Sequence, residues 1–291
     1  MLRETSELNK EEIISGAHRF ARESTYNYIS AGVALSPDYT GIMIFDLPIF
    51  AFGPADDDIY LTYKSPDIIG EHFMSPLQLL PEAKTVISFF LPYSDRIKSA
   101  NAQNYDWPAE EWLHGRFEGQ VLVKELSIYI QRLLTEAGHS SLVPLIDPRF
   151  TMGDGSNNYT SNWSERHAAY ACGLGTFGLS KGLITEKGVC GRFGSVLTQL
   201  GLPADTRRYE GVYEYCIKCG ACIPHCPVHA ISIENGKRHD PCSGFLDHVR
   251  DKCAPRYGCG KCQVNVPCES RIPDMRLTTA AGGMPVADET R

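Results

Sequence analysis

The sequence predicts an α/β domain, residues 1–205, followed by a small cysteine-rich domain of the bacterial ferredoxin type, residues 206–291. Three observations support this fold class. Short runs of β-branched and aromatic residues alternate with long amphipathic segments, a pattern typical of α/β folds. Nine of the eleven cysteines lie within residues 216–268. Hydrophobic residues make up 43% and charged residues 22% of the chain, as in soluble globular proteins.

Two helices and one buried strand are the clearest elements of the α/β domain. Asn9 and Glu12 form a capping box at the start of a helix that extends to about residue 30. Residues 85–91 (TVISFFL) are apolar without interruption, which is typical of a strand buried on both faces. Residues 119–137 place their apolar side chains on one helical face, and the glycine that follows predicts a C-terminal cap.

The remaining elements are shorter. We expect strands at 42–45, 60–63 and 142–146, a helical turn at 77–80, a helix at 164–172, and a hairpin of 183–185 with 192–197. Two polar stretches, 95–117 and 147–162, are long enough to indicate functional loops. The glycines at 173, 175 and 178 match a dinucleotide-binding pattern but follow a helix instead of the strand that this pattern requires. A helix cap at Gly173 is the better interpretation.

A run of four cysteines predicts an iron–sulfur site. Cys216, Cys219, Cys222 and Cys226 have the spacing C-x2-C-x2-C-x3-C, and a proline follows, as in bacterial ferredoxins. Iron–sulfur clusters need soft thiolate ligands, and the two-residue gaps let one short loop surround three corners of a cube. Cysteine pairs at this spacing also occur in zinc sites, but zinc ribbons rarely use three such cysteines before a C-P ending. The pattern therefore favours [4Fe–4S] over zinc.

A second set of cysteines completes a two-cluster arrangement. Its members are Cys242, Cys253, Cys259, Cys262 and Cys268. In two-cluster ferredoxins the fourth cysteine of a run ligates the other cluster. The first cluster then has four ligands: Cys216, Cys219, Cys222 and Cys268. The second cluster has three ligands, Cys226, Cys259 and Cys262, and its fourth is either Cys242 or Cys253.

Charge and cysteine usage restrict the partners and the compartment. The formal net charge of −7 argues against a partner bound through nucleic-acid phosphates. No apolar run approaches the ~20 residues that span a bilayer, and the acidic, polar N-terminus is unlike a secretion signal. Cys172 and Cys190 lie outside the cluster spacing and are expected to be buried thiols. Because most cysteines occur at metal-ligand spacing, we expect a cytoplasmic protein, with neither a nucleic-acid nor a membrane partner.

Several segments resemble the epoxyqueuosine reductases. Residues 165–178 (ERHAAYACGLGTFG) resemble that family's E-R-x-x-A-x-x-A-G-L-G-x-x-G segment, and residues 79–93 (LLPEAKTVISFFLPY) resemble a second recurring segment. The family also places a cysteine sixteen residues after the C-P cysteine, which favours Cys242 over Cys253 as the remaining ligand. Reductive dehalogenases share the same plan. The resemblance covers about residues 75–270 and implies a nitroreductase-like α+β layered domain that holds a corrinoid, cobalamin, in front of two [4Fe–4S] clusters; FMN is the less favoured cofactor.

The chain departs from the epoxyqueuosine reductases in three ways. It ends soon after the cysteines, without the helical repeats with which that family helps to grip transfer RNA, so we expect no tRNA substrate. Five residues separate Cys262 from Cys268, where the family has three and a C-P ending. Tyr159 stands six residues before the E-R pair, where the family has a proton-donating Asp. Since reductive dehalogenases donate the proton from a Tyr, we predict Tyr159 as the catalytic acid; the alternative is a loop tyrosine packed on the surface.

The predicted function is that of a cytoplasmic iron–sulfur oxidoreductase. Its two clusters would pass electrons from a low-potential donor, such as ferredoxin or flavodoxin, to a bound corrinoid, for reduction of a small substrate or of the corrinoid itself. We expect four residues to contact the cofactor: Arg166, Leu183, Ser195 and Gly244. The alternative is an electron-transfer protein that reduces a partner corrinoid protein or flavoprotein and has no substrate of its own. An open cavity that contains Tyr159 in front of the inner cluster would favour the enzyme, and a filled one the carrier.

Overall fold

The computed structural model describes residues 8–153 and 160–274. Its helices are α1 (Lys10–Glu23), α2 (Ile59–Thr62), α3 (Pro76–Leu79), α4 (Asp95–Asn101), α5 (Glu110–Phe117), α6 (Gly119–Glu136), α7 (Glu165–Cys172) and α8 (His239–Cys253). Its strands are β1 (Ile49–Pro54), β2 (Thr85–Pro92), β3 (Ser141–Leu142), β4 (Gly175–Phe177), β5 (Leu183–Thr185), β6 (Gly191–Thr198), β7 (Ile231–Ser232) and β8 (Gly236–Lys237). Short 3-10 helices lie at Thr25–Asn27, Pro37–Tyr39, Pro144–Ile146 and Lys261–Gln263.

A four-stranded antiparallel sheet forms the centre of the α/β part. Its strand order is β1-β2-β6-β3. Every residue of β2 is buried, which confirms the strand predicted from its uninterrupted apolar run. The register pairs Ser88 of β2 with Ser195 of β6 at the middle of the sheet.

Helices cover both faces of this sheet. Side chains of a strand alternate between its faces, so Ile87 and Phe89 pack on opposite sides from Val86 and Phe90. The first pair joins the apolar stripes of α1 and α6, and the second pair joins the alanine-rich face of α7. The packing confirms the predicted mixed α/β class.

The predicted helices are largely correct. The capping box at Asn9 and Glu12 is present, but α1 ends at Glu23 because Ser24 adopts an extended conformation. Helix α6 ends where expected, and Gly138 follows it with φ +87°. Gly173 caps α7 with φ +99°, as predicted. The stretch 95–117, interpreted as a loop, instead contains α4 and α5.

Three strand predictions are wrong. Residues 60–63 belong to a helical turn: the buried Tyr60 and Tyr63 lie three residues apart, which is helical spacing. Residues 42–45 form only isolated bridges, and the edge strand is β1. The stretch 142–146 becomes a 3-10 helix from Pro144, because proline cannot donate to a sheet.

The predicted hairpin also has the wrong partners. Strand β5 pairs with β4, whereas β6 joins the central sheet between β2 and β3. Gly175 permits the β4–β5 pairing, since a Cβ there would lie 2.0 Å from the carbonyl oxygen of Ile184. Neighbour choice among strands depends on contacts that are distant in sequence, and the alternation within each strand does not encode it.

The cysteine-rich segment packs directly on the α/β part. The Val189 amide donates to the Cys268 carbonyl at 2.9 Å, and Lys98 donates to Ser270 at 2.9 Å. Val264 is fully buried within the same core cluster as α1 and α6. The division into residues 1–205 and 206–291 stays a prediction. Among the helices of the described ranges, none combines the length and the apolar character that a membrane-spanning helix requires.

Candidate functional site

A cavity of about 510 Å³ lies between the α/β part and the cysteine-rich segment. Four cysteines contribute to its lining: Cys226, Cys242, Cys259 and Cys262. The α/β part contributes Glu165, Arg166 and Arg192. Aromatic lining side chains include Trp112, Trp163, Phe193, Phe245 and Tyr257. A volume of this size is within the ~300–1,000 Å³ that is usual for small-molecule sites.

The cysteines assigned to the first cluster lie close together. Burial raises the pKa of the Cys268 thiol to about 12, and the neighbouring thiols of Cys216, Cys222 and Cys219 add to this shift. Cys268 follows its partners by about fifty residues, so only the fold brings it to them. Cys219 is exposed, which places this group at the protein surface.

The cysteines assigned to the second cluster form the group on the cavity wall. Burial raises the pKa of Cys259 to about 12, and the thiols of Cys262 and Cys242 contribute further. Burial likewise raises the pKa of Cys262, with contributions from Cys242 and Cys226. Each group therefore combines thiols from both cysteine sets, as the crossed ligation requires.

The position of Cys242 on α8 separates it from Cys253. Cys242 lies in the first turn of α8 and lines the cavity, whereas Cys253 is the last residue of the helix. Eleven residues of helix correspond to about 16 Å along its axis at 1.5 Å per residue. A [4Fe–4S] cube spans only a few ångströms, so one helix cannot present both thiols to the same cluster. The geometry supports Cys242 as the ligand, and the assignment itself stays a prediction.

The thiol environment fits iron–sulfur clusters. The Leu179 amide donates to Cys216 Sγ at 3.4 Å, and the Ala230 amide donates to Cys226 Sγ at 3.2 Å. Amide hydrogen bonds of this kind stabilise the negative charge of cluster sulfurs. Within residues 8–153 and 160–274, no three His, Cys, Asp or Glu side chains converge enough to hold one metal ion. The thiolates of a [4Fe–4S] cube each bind a different iron, so they need not converge on one point.

A buried polar contact fixes the Cys259–Cys262 loop to the α/β part. Lys261 is 1% exposed, and its Nζ donates to the carbonyl oxygen of Asn101 at 2.8 Å and to its Oδ1 at 2.9 Å. The Asn101 amide group in turn donates to the Cys259 carbonyl at 2.9 Å. Burying these polar groups is tolerated because they satisfy one another. The loop that carries two predicted ligands therefore has a defined position relative to the cavity.

The cavity lining is rich in cations. It contains Arg116, Arg166, Arg192 and Lys237, and Glu165 is the one carboxylate among the described lining residues. Two polar atoms in this region are buried with no hydrogen-bond partner among the described residues, Glu165 Oε2 and Arg192 Nε. Both atoms are shielded from the cavity as well as from solvent, so the polar character of the cavity wall comes from the other atoms of these charged side chains.

We expect Glu165 to give the protein a measurable pH dependence. Burial raises its pKa from 4.5 to about 7, although hydrogen bonds with Ser195 and Trp163 and the charge of Arg192 oppose the shift. The folded state then keeps a proton that the unfolded chain releases. The resulting stabilisation is fully present below about pH 4.5 and is lost as the pH rises through 7.

The variant Glu165→Gln retains a neutral side chain at every pH. Its melting temperature should match that of the wild type below about pH 4.5, exceed it by a margin that grows between pH 4.5 and 7, and keep that margin at pH 8. Glu136→Gln, which changes an exposed carboxylate on α6, is the matched control and should show no such trend. Equal melting temperatures of Glu165→Gln and wild type at pH 8 would contradict the expectation.

The predicted cofactor contacts separate into two groups. Arg166 and Leu183 line the cavity. Ser195 is fully buried and lies outside the lining, where its Oγ accepts a hydrogen bond from Trp163 Nε1 at 3.1 Å. Gly244 lies on α8 directly before Phe245, and it is Phe245 that lines the cavity. The role of all four as cofactor contacts stays a prediction.

Tyr159, the predicted catalytic acid, lies outside the described residues, and its role stays a prediction. The sequence interpretation missed Arg192 and Trp112 as site residues, since each lies in an ordinary strand or helix pattern. Glu165 could have been found from the sequence, because it directly precedes Arg166 in the E-R segment, and Arg166 is among the predicted cofactor contacts. Cys172 and Cys190 are 0% and 1% exposed, which confirms them as buried thiols.

Comparison with known proteins first identifies the cysteine run. Residues 210–232 match the Fer4 family, described as a 4Fe-4S binding domain. The match includes the four cysteines of the run and confirms the iron–sulfur prediction for this segment. No curated protein matches the chain closely enough to count as a relative.

Solved structures provide the second comparison. A variant of the catabolic reductive dehalogenase NpRdhA aligns with 93% of this chain and 38% of its own, at 14% identity and a TM-score of 0.53. An epoxyqueuosine reductase aligns with 92% of this chain and 70% of its own, at 20% identity and a TM-score of 0.49. The epoxyqueuosine reductase from Bacillus subtilis aligns with 80% and 66%, at 21% identity and a TM-score of 0.47.

These neighbours come from the two families that the sequence resembles. At such low identities the comparison shows a shared fold and no more. Of these three structures, the dehalogenase has the TM-score above 0.5 that supports a shared fold. The chain spans well under half of that dehalogenase. The protein therefore has a mixed α/β fold shared with part of a reductive dehalogenase, and it carries a 4Fe–4S binding motif.

Proposed function

We propose that this protein is an iron–sulfur oxidoreductase in which two [4Fe–4S] clusters connect an external electron donor to a corrinoid bound in the cavity. The donor would be a low-potential protein such as ferredoxin or flavodoxin. The product would be either a reduced small substrate or the reduced corrinoid itself. The nitroreductase-like layering of the α/β part, the two-domain division and a cytoplasmic location belong to the same proposal.

One observation carries the proposal: the second cysteine group lines the cavity directly. Cys226, Cys242, Cys259 and Cys262 all contribute to its surface. A cluster held there would lie beside whatever ligand the cavity takes. The first group, with its exposed Cys219, would then be the entry point for electrons.

The lining side chains of the cavity suit a cofactor with both polar and apolar surface. Trp112 and Trp163 are each 3% exposed and provide rigid aromatic surface. Arg166, Arg192 and Glu165 provide polar groups at the wall. A corrinoid would supply one-electron cobalt chemistry, and this chain would supply its position, its polar surroundings and protection from water.

The alternative is an electron carrier without a substrate, for which we expected a filled cavity. Part of the cavity of about 510 Å³ would hold the second cluster itself, but its lining extends beyond the cysteines to Arg116 and Arg192, which supports the enzyme. Tyr159, the other part of this expectation, lies outside the described residues.

The test is a titration of the anaerobically purified protein with cobalamin and, separately, with FMN. We expect cobalamin to bind and to change its visible spectrum, and dithionite-reduced clusters to reduce it. Leu246→Trp adds bulk to the cavity lining and should weaken binding, whereas Leu77→Trp on the exposed face of α3 should not. If FMN binds and cobalamin does not, the proposed cofactor is a flavin and not a corrinoid. If neither binds, the enzyme hypothesis is rejected and the electron-carrier hypothesis remains.

A further inference from the structure

Two arginines of the cavity, Arg116 and Arg192, differ from its other cations in their main electrostatic partners, although Arg166 lies within range of both. Lys237 and Arg166 interact electrostatically with Cys242 and Cys262. These two cations therefore balance the charge of the second thiol group. Arg116 and Arg192 instead lie near Tyr93 and Tyr257 and near each other. Their positive charges need a different explanation.

The hydrogen bonds of Arg192 to described residues use only part of the donor capacity of its guanidinium group. One Nη donates to Oε1 of Gln120, a neutral partner, and Nε is buried with no hydrogen-bond partner among the described residues. Burial, as the largest cause, and the charge of Arg116 together lower the pKa of Arg192 to about 10. Burial and the neighbouring positive charge therefore both disfavour the charged form of Arg192.

Arg116 is held in place without being neutralised. Its Nη2 donates to the hydroxyl of Tyr257 at 3.0 Å, and its guanidinium lies 4.6 Å from the centre of the Tyr257 ring. Within residues 8–153 and 160–274, the ion pairs involve neither Arg116 nor Arg192. Two like charges thus face one cavity without an ion pair, although Glu165, the carboxyl group of the same lining, lies within electrostatic range of Arg192.

We propose that Arg116 and Arg192 form a binding site for the anionic oxygen group, a carboxylate or phosphate, of a ligand in the cavity. The planar guanidinium offers a fork of N–H donors that matches both groups. An anion between the two guanidinium groups would relieve their mutual repulsion and accept hydrogen bonds from those of their N–H groups that face the cavity. The overall charge of the chain is −7, so this cationic cavity is a local exception that attracts anions.

The site concerns the anionic group alone and requires no corrinoid, so it can fail or succeed independently of the proposed function. The anion could belong to a separate small substrate or to the phosphate of a cobalamin. Trp112 and Phe193 beside the arginines provide an apolar wall. Benzoate, a carboxylate with a flat apolar body, and inorganic phosphate are therefore suitable probes.

The experiment is equilibrium dialysis of the anaerobic iron-loaded protein against radiolabelled benzoate and phosphate. We expect at least one probe to bind at about one per chain. Arg192→Gln and Arg116→Gln should each weaken that binding about tenfold or more, as expected for loss of a charged hydrogen-bond donor. Arg192→Lys keeps the charge but not the fork and should have an intermediate effect.

Arg132→Gln is the matched control, because Arg132 lies exposed on α6. Unchanged iron content in each variant shows that a loss of binding is not a loss of folding. Competition by cobalamin but not by cobinamide, which lacks the phosphate, would assign the site to the corrinoid. Binding that persists with cobalamin present would assign it to a separate substrate. The inference is overturned if neither probe binds the wild type at millimolar concentration, or if Arg132→Gln weakens binding as much as Arg192→Gln.

Discussion

Replacement of Cys242 by alanine is expected to remove one cluster, whereas Cys253→Ala should leave both in place. Cys242 lies with Cys259 and Cys262 at the cavity wall. Cys253 lies at the far end of α8, about 16 Å along the helix axis. Two clusters contain about eight iron and eight sulfide per chain, so Cys242→Ala should retain about half of each.

Iron and acid-labile sulfide analysis of the anaerobic protein measures this directly. EPR of the dithionite-reduced protein adds an independent count, since two nearby reduced clusters give a coupled signal and one cluster does not. Cys253→Ala is the matched control on the same helix. Loss of half the iron from Cys253→Ala would reverse the assignment. Four iron atoms in the wild type would reject the second cluster altogether.

Gly260→Ala is expected to disrupt the loop between Cys259 and Cys262 far more than Gly236→Ala disturbs its own turn. Both glycines have left-handed backbones, with φ +65° and +60°, so alanine costs about 1–2 kcal/mol of backbone energy at either position. A Cβ at Gly260 would lie 1.8 Å from Trp112 Cζ2, whereas a Cβ at Gly236 would meet nothing within 4 Å. Trp112 is 3% exposed and its ring lies 4.8 Å from that of the buried Tyr93, so moving it aside would disturb this packing.

The comparison therefore separates steric overlap from backbone strain. Gly236→Ala should lower the melting temperature by only a few degrees, as ~1–2 kcal/mol does in a protein of this size. Gly260→Ala should lower it by more than about ten degrees, or yield protein that has lost the second cluster. Equal melting temperatures of the two variants would show that Trp112 moves aside and that its packing does not hold the loop.

The sequence alone determined the features that depend on local pattern. Residues 85–91 identified the central strand because a run of mostly β-branched and aromatic residues, with Thr85 and Ser88 as its polar members, is typical of a strand buried on both faces. Residues 119–137 identified α6 because their apolar side chains recur at helical spacing and so lie on one face of a helix. Cysteine spacing identified the iron–sulfur run because the ligands of one cube come largely from one short loop. Each of these signals is contained within about twenty consecutive residues.

The tertiary structure decided which distant residues share the site. Only the fold places Trp112 and Arg192 in the cavity with Cys242, since these residues come from a helix, a strand and another helix. The hairpin prediction failed for the same reason: β6 pairs with β2, about one hundred residues away, instead of with the adjacent β5. Burial and repulsion at Arg192 likewise arise only after folding. Local periodicity limits the conformation of each segment, but the choice of its neighbours is made by the packing of the whole chain.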